Sequence, residues 1–583
     1  MPNVQESLRA PGAVQPGEHT LTLQDGTELY YRAWLPAEPT TKALLLFHRG
    51  HEHSGRWQET VAALGLEDVA VFAWDQRGHG LSPGERGSAP DLATVIHDAD
   101  EWARHLCATH GIDLRETVVL AHSLGAVIAT AWVHDYAPPI RGLILATPAF
   151  RVKLYVPLAV PLLRLRQCLF GQGYVKSFVT ANMLTHDPEQ AERYRADSLI
   201  FRQIAVNMLL DLHDTATRLL DDAGAITTPL LVLAAGSDWV VKESAQRQFV
   251  ERVSSPVKRF EVLDGFSHAI FHEKERHLVV EKVRDFILER FAESPATLEA
   301  DHRSHTHDEY ARLCGPGGWW FAPVRWLMKG PGRLSRGIHL GWKHGFDSGV
   351  MLDYIYENRS RGITLLGRLI DRCYLNAIGW RGIRVRRTLL EQALRSTIVR
   401  MHAAGQPVRL LDIASGPGRY VLETIHNLEA IPISAILRDY RQENLSAAER
   451  LRDELGLANV TLIPGDAFDR TALAAITPQP TIAIVSGLYE LFPENEPVLR
   501  SLRGLGDAVE PGGYLLYTNQ PWHPQVEFIA RVLTNREGRR WIMRRRTQAE
   551  MDALVRTAGF EKVSQETDPW GIFTVSVARR VGP

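Results

Sequence analysis

Short, almost uninterrupted apolar runs recur along the chain, separated by longer stretches in which apolar residues return every three or four positions. In the first half the runs are KALLLFH (42–48), VAVFAWD (69–75), TVVLAH (117–122), RGLILATP (141–148), PLLVLAAG (229–236) and VKRFEVL (257–263). Runs of this length that are apolar on both faces predict parallel strands, and the 3.6-residue spacing between them predicts helices covering both faces of the sheet. Ahead of them, HTLTLQDGTELYYRAWLP predicts a hairpin turning at Asp25-Gly26. From about 150 to 222 the rhythm lengthens into amphipathic, Leu- and Arg-rich stretches such as YVPLAVPLLRLRQCLF, which predict a helical insertion over one end of the sheet. A second alternation runs through VRLLDIA, ISAILRDY, NVTLIPGD, TIAIVSG, GYLLYTN and IFTVSVA, with no internal repeat. The expected organisation is α/β, with two doubly wound domains. A leader (1–18) precedes the first domain (19–292, cap about 150–222). A polar linker and basic aromatic segment (293–340) then lead to a second domain with a helical N-terminal extension (341–583).

The length of 583 residues agrees with two large domains. Lys and Arg (66) nearly cancel Asp and Glu (68), so no basic field covers the molecule and a nucleic-acid partner is not expected. The four cysteines, Cys107, Cys168, Cys314 and Cys373, form no C-x-x-C pair, which argues against a disulfide framework and a thiolate metal site. The N-terminus shows no apolar core of signal-peptide type and no run reaches about 18 apolar residues, so the expected location is cytoplasmic.

In TVVLAHSLGAVIATAW, Ser123 follows a strand and precedes a helix of small residues, the context of the G-x-S-x-G nucleophile elbow with Ala121 in the first glycine's place and Gly125 kept. Asp238 and His268 then follow just beyond two later strands, in the order nucleophile, acid, base. Asp264 and His79 are the rival acid and base. Three histidines in FHRGHEHSGRW (47–57), beside Glu52, also raise a metal site; none is expected, because a metal-free mechanism accounts for the domain. Residues 20–290 resemble the monoacylglycerol lipase and lysophospholipase branch of the α/β hydrolases through FHRGHEHSGRW, DQRGHGLSPGERG, AHSLGA, GSDWVV and GFSHAIFHE. The resemblance implies a lipid ester as substrate and makes the N–H groups of Gly50 and Leu124 the oxyanion hole. Arg49 and His51 stand where that family has glycine, so the loop is expected either to be reshaped or to bring two cations that favour an anionic substrate.

VRLLDIASGPGRYVLETI is a strand, a glycine turn and a helix, and its spacing is not G-x-G-x-x-G, which disfavours a dinucleotide fold. It resembles motif I of the Rossmann-like class I S-adenosylmethionine methyltransferases, with Asp412, Ala414, Gly416 and Gly418. That resemblance places Asp439 on the ribose hydroxyls and Asp466 near the adenine amine. Tyr489, Asn519, Gln520, Trp522 and His523 are candidates to face a methyl acceptor whose identity the sequence leaves open. Taken together, the chain resembles bifunctional proteins in which an α/β hydrolase with a helical cap is fused to such a methyltransferase.

Between Asp301 and Leu390, 15 Arg or Lys stand against 7 Asp or Glu, with Trp319, Trp320, Trp326 and Trp342 among them. Packing between domains and a peripheral contact with the inner membrane surface both fit this pattern. Two other activities share the motifs: a thioesterase or acyltransferase beside the methyltransferase, and an RNA methyltransferase carrying an inert hydrolase scaffold.

Overall fold

The computed structural model describes residues 15–294 and 304–581. They form two compact units, divided between residues 297 and 298.

The first unit is built on an eight-stranded sheet of β1 (Gly17–Thr22), β2 (Glu28–Trp34), β3 (Ala43–Phe47), β4 (Ala70–Trp74), β5 (Thr117–His122), β6 (Gly142–Ala146), β9 (Leu230–Ala235) and β10 (Lys258–Leu263), in the order β1-β2-β4-β3-β5-β6-β9-β10. The β1–β2 and β2–β4 pairs are antiparallel and the others parallel. Strands β3, β4, β5, β6 and β9 are buried along their whole length, as their unbroken apolar runs require. Within β3 the pleat sends Leu45 and Phe47 into one core and Leu44 and Leu46 into the other, so helices are needed on both faces. Strand β1 begins two residues inside the expected leader, whose residues 1–14 lie outside the described ones.

Between β6 and β9 the cap comprises helices Ala159–Phe170, Ala181–Leu184, Pro188–Ala196 and Val206–Asp221 and a two-stranded ribbon of β7 (Tyr174–Lys176) and β8 (Gln203–Ala205). The ribbon was not expected: three-residue strands are too short to leave a period.

The second unit has a seven-stranded sheet in the order β13-β12-β11-β14-β15-β17-β16. Its strands are β11 (Val408–Asp412), β12 (Ile433–Asp439), β13 (Val460–Pro464), β14 (Ile482–Val485), β15 (Tyr514–Asn519), β16 (Phe560–Thr567) and β17 (Thr574–Arg580), with β17 antiparallel to both neighbours. Edge strand β16, FEKVSQET, escapes the sequence pattern because it is polar and only partly buried.

The expected linker needs correction. From His305 the chain is helical and belongs to the second unit. Ser304 donates to Glu550, Arg545 pairs with Glu309, and Arg531 and Arg540 donate to backbone carbonyls at the end of helix His305–Cys314. The polar DHRSHTHDE reads as solvated because its charged partners lie some 240 positions away. Further along, buried Asp371 ties the helical extension together, accepting from the Ser335 hydroxyl, the N–H groups of Gly337 and Arg361, and the Tyr354 hydroxyl.

Candidate active sites

Ser123 sits between β5 and helix Leu124–Tyr136 with φ +56° and ψ −111°, a strained conformation for any residue with a side chain. The turn is tight enough that a Cβ on Gly125 would lie 2.4 Å from the His48 carbonyl oxygen and 2.7 Å from that of Phe47, so this glycine is required. Ala121, in the other glycine position, is accommodated inside β5 opposite Phe47. Ser123 Oγ is 2.8 Å from His268 Nε2, and His268 Nδ1 is 2.8 Å from Asp238 Oδ2. All three are buried. The second Asp238 oxygen accepts from the N–H groups of Val240 (2.7 Å) and Val241 (2.9 Å). Burial opposes ionisation of Asp238, but His268 and these two N–H groups more than offset it and hold the carboxyl below its ordinary range. The rivals fall away: Asp264 is exposed, and His79 bonds to Gln76 rather than to Ser123.

Two further groups, unsuspected from the sequence, fix the histidine. The backbone carbonyl of His268 meets His122 Nε2 at 3.0 Å and accepts from Thr147 Oγ1 at 3.1 Å. Burial, with Arg49 and His268 nearby, lowers the His122 pKa to about 3, so His122 is a neutral donor near pH 7. A local signal existed in the His-Ser pair itself, but its partner lies 146 residues on.

The histidine-rich loop serves three separate purposes. His48 bonds within the loop and to the Gln76 N–H, His53 reaches cap residue Asp197 at 2.9 Å, and His51 packs edge-on to cap residue Phe201. His51 takes up the left-handed conformation, φ +70°, that glycine usually fills. Arg49 lies under Tyr194 of the cap and is paired two-fold with Glu52, both side chains almost fully buried. The loop therefore keeps a glycine-like turn at His51, and it does not bring the two cations that were one of the expected alternatives: Glu52 neutralises Arg49, while burial and Arg49 lower the His51 pKa to about 4. Gly50 and Leu124 are brought together with Ser123 and His268 around a cavity of about 150 Å³. Among the described residues neither Gly50 N–H nor Leu124 N–H has a protein acceptor. The rest of the lining is mostly apolar, including Val152, Val179, Leu184, Ile204, Met208 and Leu212.

In the second unit the loop after β11 turns through Gly416 (φ +56°) and Gly418 (φ +67°) into helix Arg419–His426. A Cβ at Gly416 would meet nothing within 4 Å, whereas one at Gly418 would strike Leu437 at 2.7 Å, so the loop is open on one side and packed on the other. Asp439, at the end of β12, accepts from Gly416 N–H (2.9 Å), Arg441 N–H (2.8 Å) and Asn444 Nδ2 (2.9 Å). A carboxylate has about four acceptor sites, so Asp439 keeps one free on the side of the glycine loop. Asp412 accepts from Ala414 N–H and the Tyr420 hydroxyl. Asp466 is exposed, on the loop after β13, and accepts from Phe468 N–H.

Residues 38–275 match the family Hydrolase_4, serine aminopeptidase S33, and residues 283–580 match the methyltransferase family Methyltransf_20. The chain is a fusion of an α/β hydrolase with a class I S-adenosylmethionine-dependent methyltransferase. The fusion is 48% identical over 577 residues to the uncharacterized protein YnbC of Escherichia coli (strain K12), covering 97% of this chain and 98% of that one. Its first half is 28% identical to the monoacylglycerol lipase of Mycolicibacterium smegmatis (46% of this chain, 96% of that one). The same half is 26% identical to phospholipase YtpA of Bacillus subtilis (43% and 96%).

The cofactor fits the residues present in the fusion: an open glycine turn, an acid at the end of β12 with an acceptor site to spare, and a second acid at the end of β11. Of the acceptor-facing candidates, Tyr489 bonds to Ser501 and Asn519 to the Arg546 carbonyl, both structural bonds. Among the described residues Gln520 Nε2 is buried without a partner, and His523 is buried against Gly379. Burial, followed by the charge of Asp439, raises the Asp412 pKa to about 7. An acid raised in the folded state holds a proton that the unfolded chain has released, so stability falls as pH rises from about 4 to about 7. The methyltransferase unit is therefore expected to melt at lower temperature at pH 8 than at pH 5, and Asp412→Asn to flatten that slope. An unchanged slope in the variant would exclude Asp412 as its source.

Proposed function

We propose that the first unit hydrolyses carboxylic esters of neutral, single-chain acylglycerols. Ser123 Oγ attacks the ester carbonyl while His268 takes its proton, and Asp238 orients and stabilises the imidazolium. The N–H groups of Gly50 and Leu124 receive the oxyanion, a contribution of about 3 kcal/mol per donor. The C–O bond to the glycerol then breaks, the alcohol leaves with the proton from His268, and water, activated by the same imidazole, releases the acid from Ser123. The observation that carries this reading is the continuous Ser123–His268–Asp238 chain at an apolar cavity under the cap. A neutral headgroup is supported by the pairing of two cations that line the cavity, Arg49 with Glu52 and Arg77 with Asp98. Helix Ala159–Phe170 exposes Leu162, Leu165 and Leu169 at spacings that share one face, which supports a peripheral contact with the lipid that delivers the substrate. No helix among the described residues is long and apolar enough to cross a membrane.

Matched-chain substrates test this. The ratio kcat/KM is expected to be at least about tenfold higher for a monoacylglycerol than for the lysophosphatidylcholine of the same acid, since burying an unpaired phosphate charge is costly. Parity or reversal would remove the neutral-headgroup reading, and a faster acyl thioester would reassign the unit as a thioesterase.

In the second unit, bound S-adenosylmethionine would supply an electrophilic methyl group. Asp439 would accept a ribose hydroxyl, Gly416 and Gly418 would let the backbone approach the ligand, and Asp466 would lie toward the adenine. The protein's contribution is positioning.

A further inference from the structure

Helix Leu365–Leu375, in the helical extension of the methyltransferase unit, has two opposite faces. Gly367, Asp371 and Leu375, spaced four apart, are buried, while Leu365, Leu366 and Leu369 on the other side are all more than half exposed. Helix Ala322–Lys329 and the turn before it leave Trp319, Trp326 and Leu327 exposed to a similar degree, Trp319 at 81%. Both helices are stitched to one turn, Pro331–Leu334. A Cβ on Gly332 would meet the Leu327 carbonyl at 3.1 Å, the Ile363 N–H donates to the Leu334 carbonyl at 3.1 Å, and a Cβ on Gly367 would strike that same carbonyl. Large apolar side chains from the two helices therefore share one neighbourhood. A soluble monomer rarely exposes such a cluster unless it docks on something.

The charge around the cluster narrows the partner. Residues 319–375 hold nine Arg or Lys against four acids, and every one of those acids is engaged. Asp347 pairs with Arg536, Asp353 with Arg419 and Glu357 with Arg361, while Asp371 accepts from the four donors described above. Arg333, Arg336, Arg359 and Arg368 are exposed and enter no ion pair among the described residues. Arg333 belongs to the shared turn, and Arg368 stands one helical turn from Leu365. Exposed tryptophan and leucine beside unpaired cations suit the interface of a bilayer, whose acyl boundary takes the apolar groups and whose anionic headgroups attract the charge. An RNA would use the cations and the aromatic rings but offers little to four exposed leucines. We propose that this face of the helical extension docks on bilayers containing anionic lipid, with its tryptophans and leucines in the acyl boundary and its arginines at the headgroup phosphates. The cap helix Ala159–Phe170 belongs to the other unit, so the proposal stands apart from the reading of the hydrolase.

Co-sedimentation of the full chain with vesicles tests this, using phosphatidylcholine alone or with about one-third phosphatidylglycerol. The wild type is expected to bind the anionic vesicles at least about tenfold more tightly, and added salt to erase the difference. Trp326→Ser with Leu365→Ser and Leu366→Ser is expected to lose at least about tenfold of that binding. Arg333→Ser with Arg368→Ser should lose as much, since a cation near an anionic surface strengthens binding about fivefold. All five side chains are exposed, so the melting temperature is expected to stay unchanged in both variants. The cap variant Leu162→Ser, Leu165→Ser is expected to keep the preference for anionic vesicles. Equal binding of the wild type to both vesicle types, undiminished binding by either extension variant, or loss of the preference in the cap variant would each overturn the proposal. So would an RNA shift at low salt that the arginine variant abolishes while no vesicle is bound, which would give the face to nucleic acid. Dimerisation that the apolar variant abolishes, again without vesicle binding, would give it to a second copy of the chain.

Discussion

Replacing Ser123 by alanine is expected to abolish labelling by a fluorophosphonate and to lower ester hydrolysis by at least about ten-thousand-fold. Losses of that order follow removal of a triad nucleophile, because the remaining donors and binding contacts supply only a small part of the acceleration. Ala at 123 must adopt the same strained backbone as serine, so the strain is not relieved and the fold is expected to survive. Labelling of the alanine variant, or none of the wild type, would remove Ser123 from the nucleophile's role. Methyl transfer offers an internal control, since the glycine loop belongs to the other unit.

The second large effect concerns stability. Arg49→Ala leaves the Glu52 carboxylate buried without its partner and is expected to cost about 3–5 kcal/mol, read as a lower urea midpoint for loss of fluorophosphonate labelling. The double variant Arg49→Met, Glu52→Leu should regain most of this, because it removes both charges together. Burial pushes the Glu52 pKa up, but Arg49 outweighs it and holds the carboxyl well below its ordinary value. The pair's contribution is therefore complete above the unfolded carboxyl pKa and is lost as pH falls toward the folded one. A single-variant loss below about 1 kcal/mol would mean that the pair behaves as an exposed one, and the argument for a neutral substrate would lose its footing.

The parts of this molecule legible in its sequence are those with a local signature. Strands buried on both faces betray themselves by unbroken apolar runs, and the elbow by its small neighbours. Asp238 and His268 stand just past strand ends in a fixed order. The exceptions are pairings at long range. Arg49 and Glu52 are adjacent, but their burial depends on Tyr194 of the cap, and so the loop looked like a source of free charge. Glu309 looked like solvent-facing linker until Arg545 was placed beside it. Polar residues carry little periodicity, and their meaning depends on who meets them.

The way His268 is pinned has a further consequence. Its carbonyl is held by His122 and Thr147, at the ends of β5 and β6, and its acid by the loop after β9, so the reacting atoms hang from the sheet. Much of what an acyl chain would touch hangs instead from the single insertion between β6 and β9. Reactivity and selectivity are thereby inherited on separate stretches of chain. Substitutions in the insertion are therefore expected to change which acyl group is accepted without moving Ser123, Asp238 or His268.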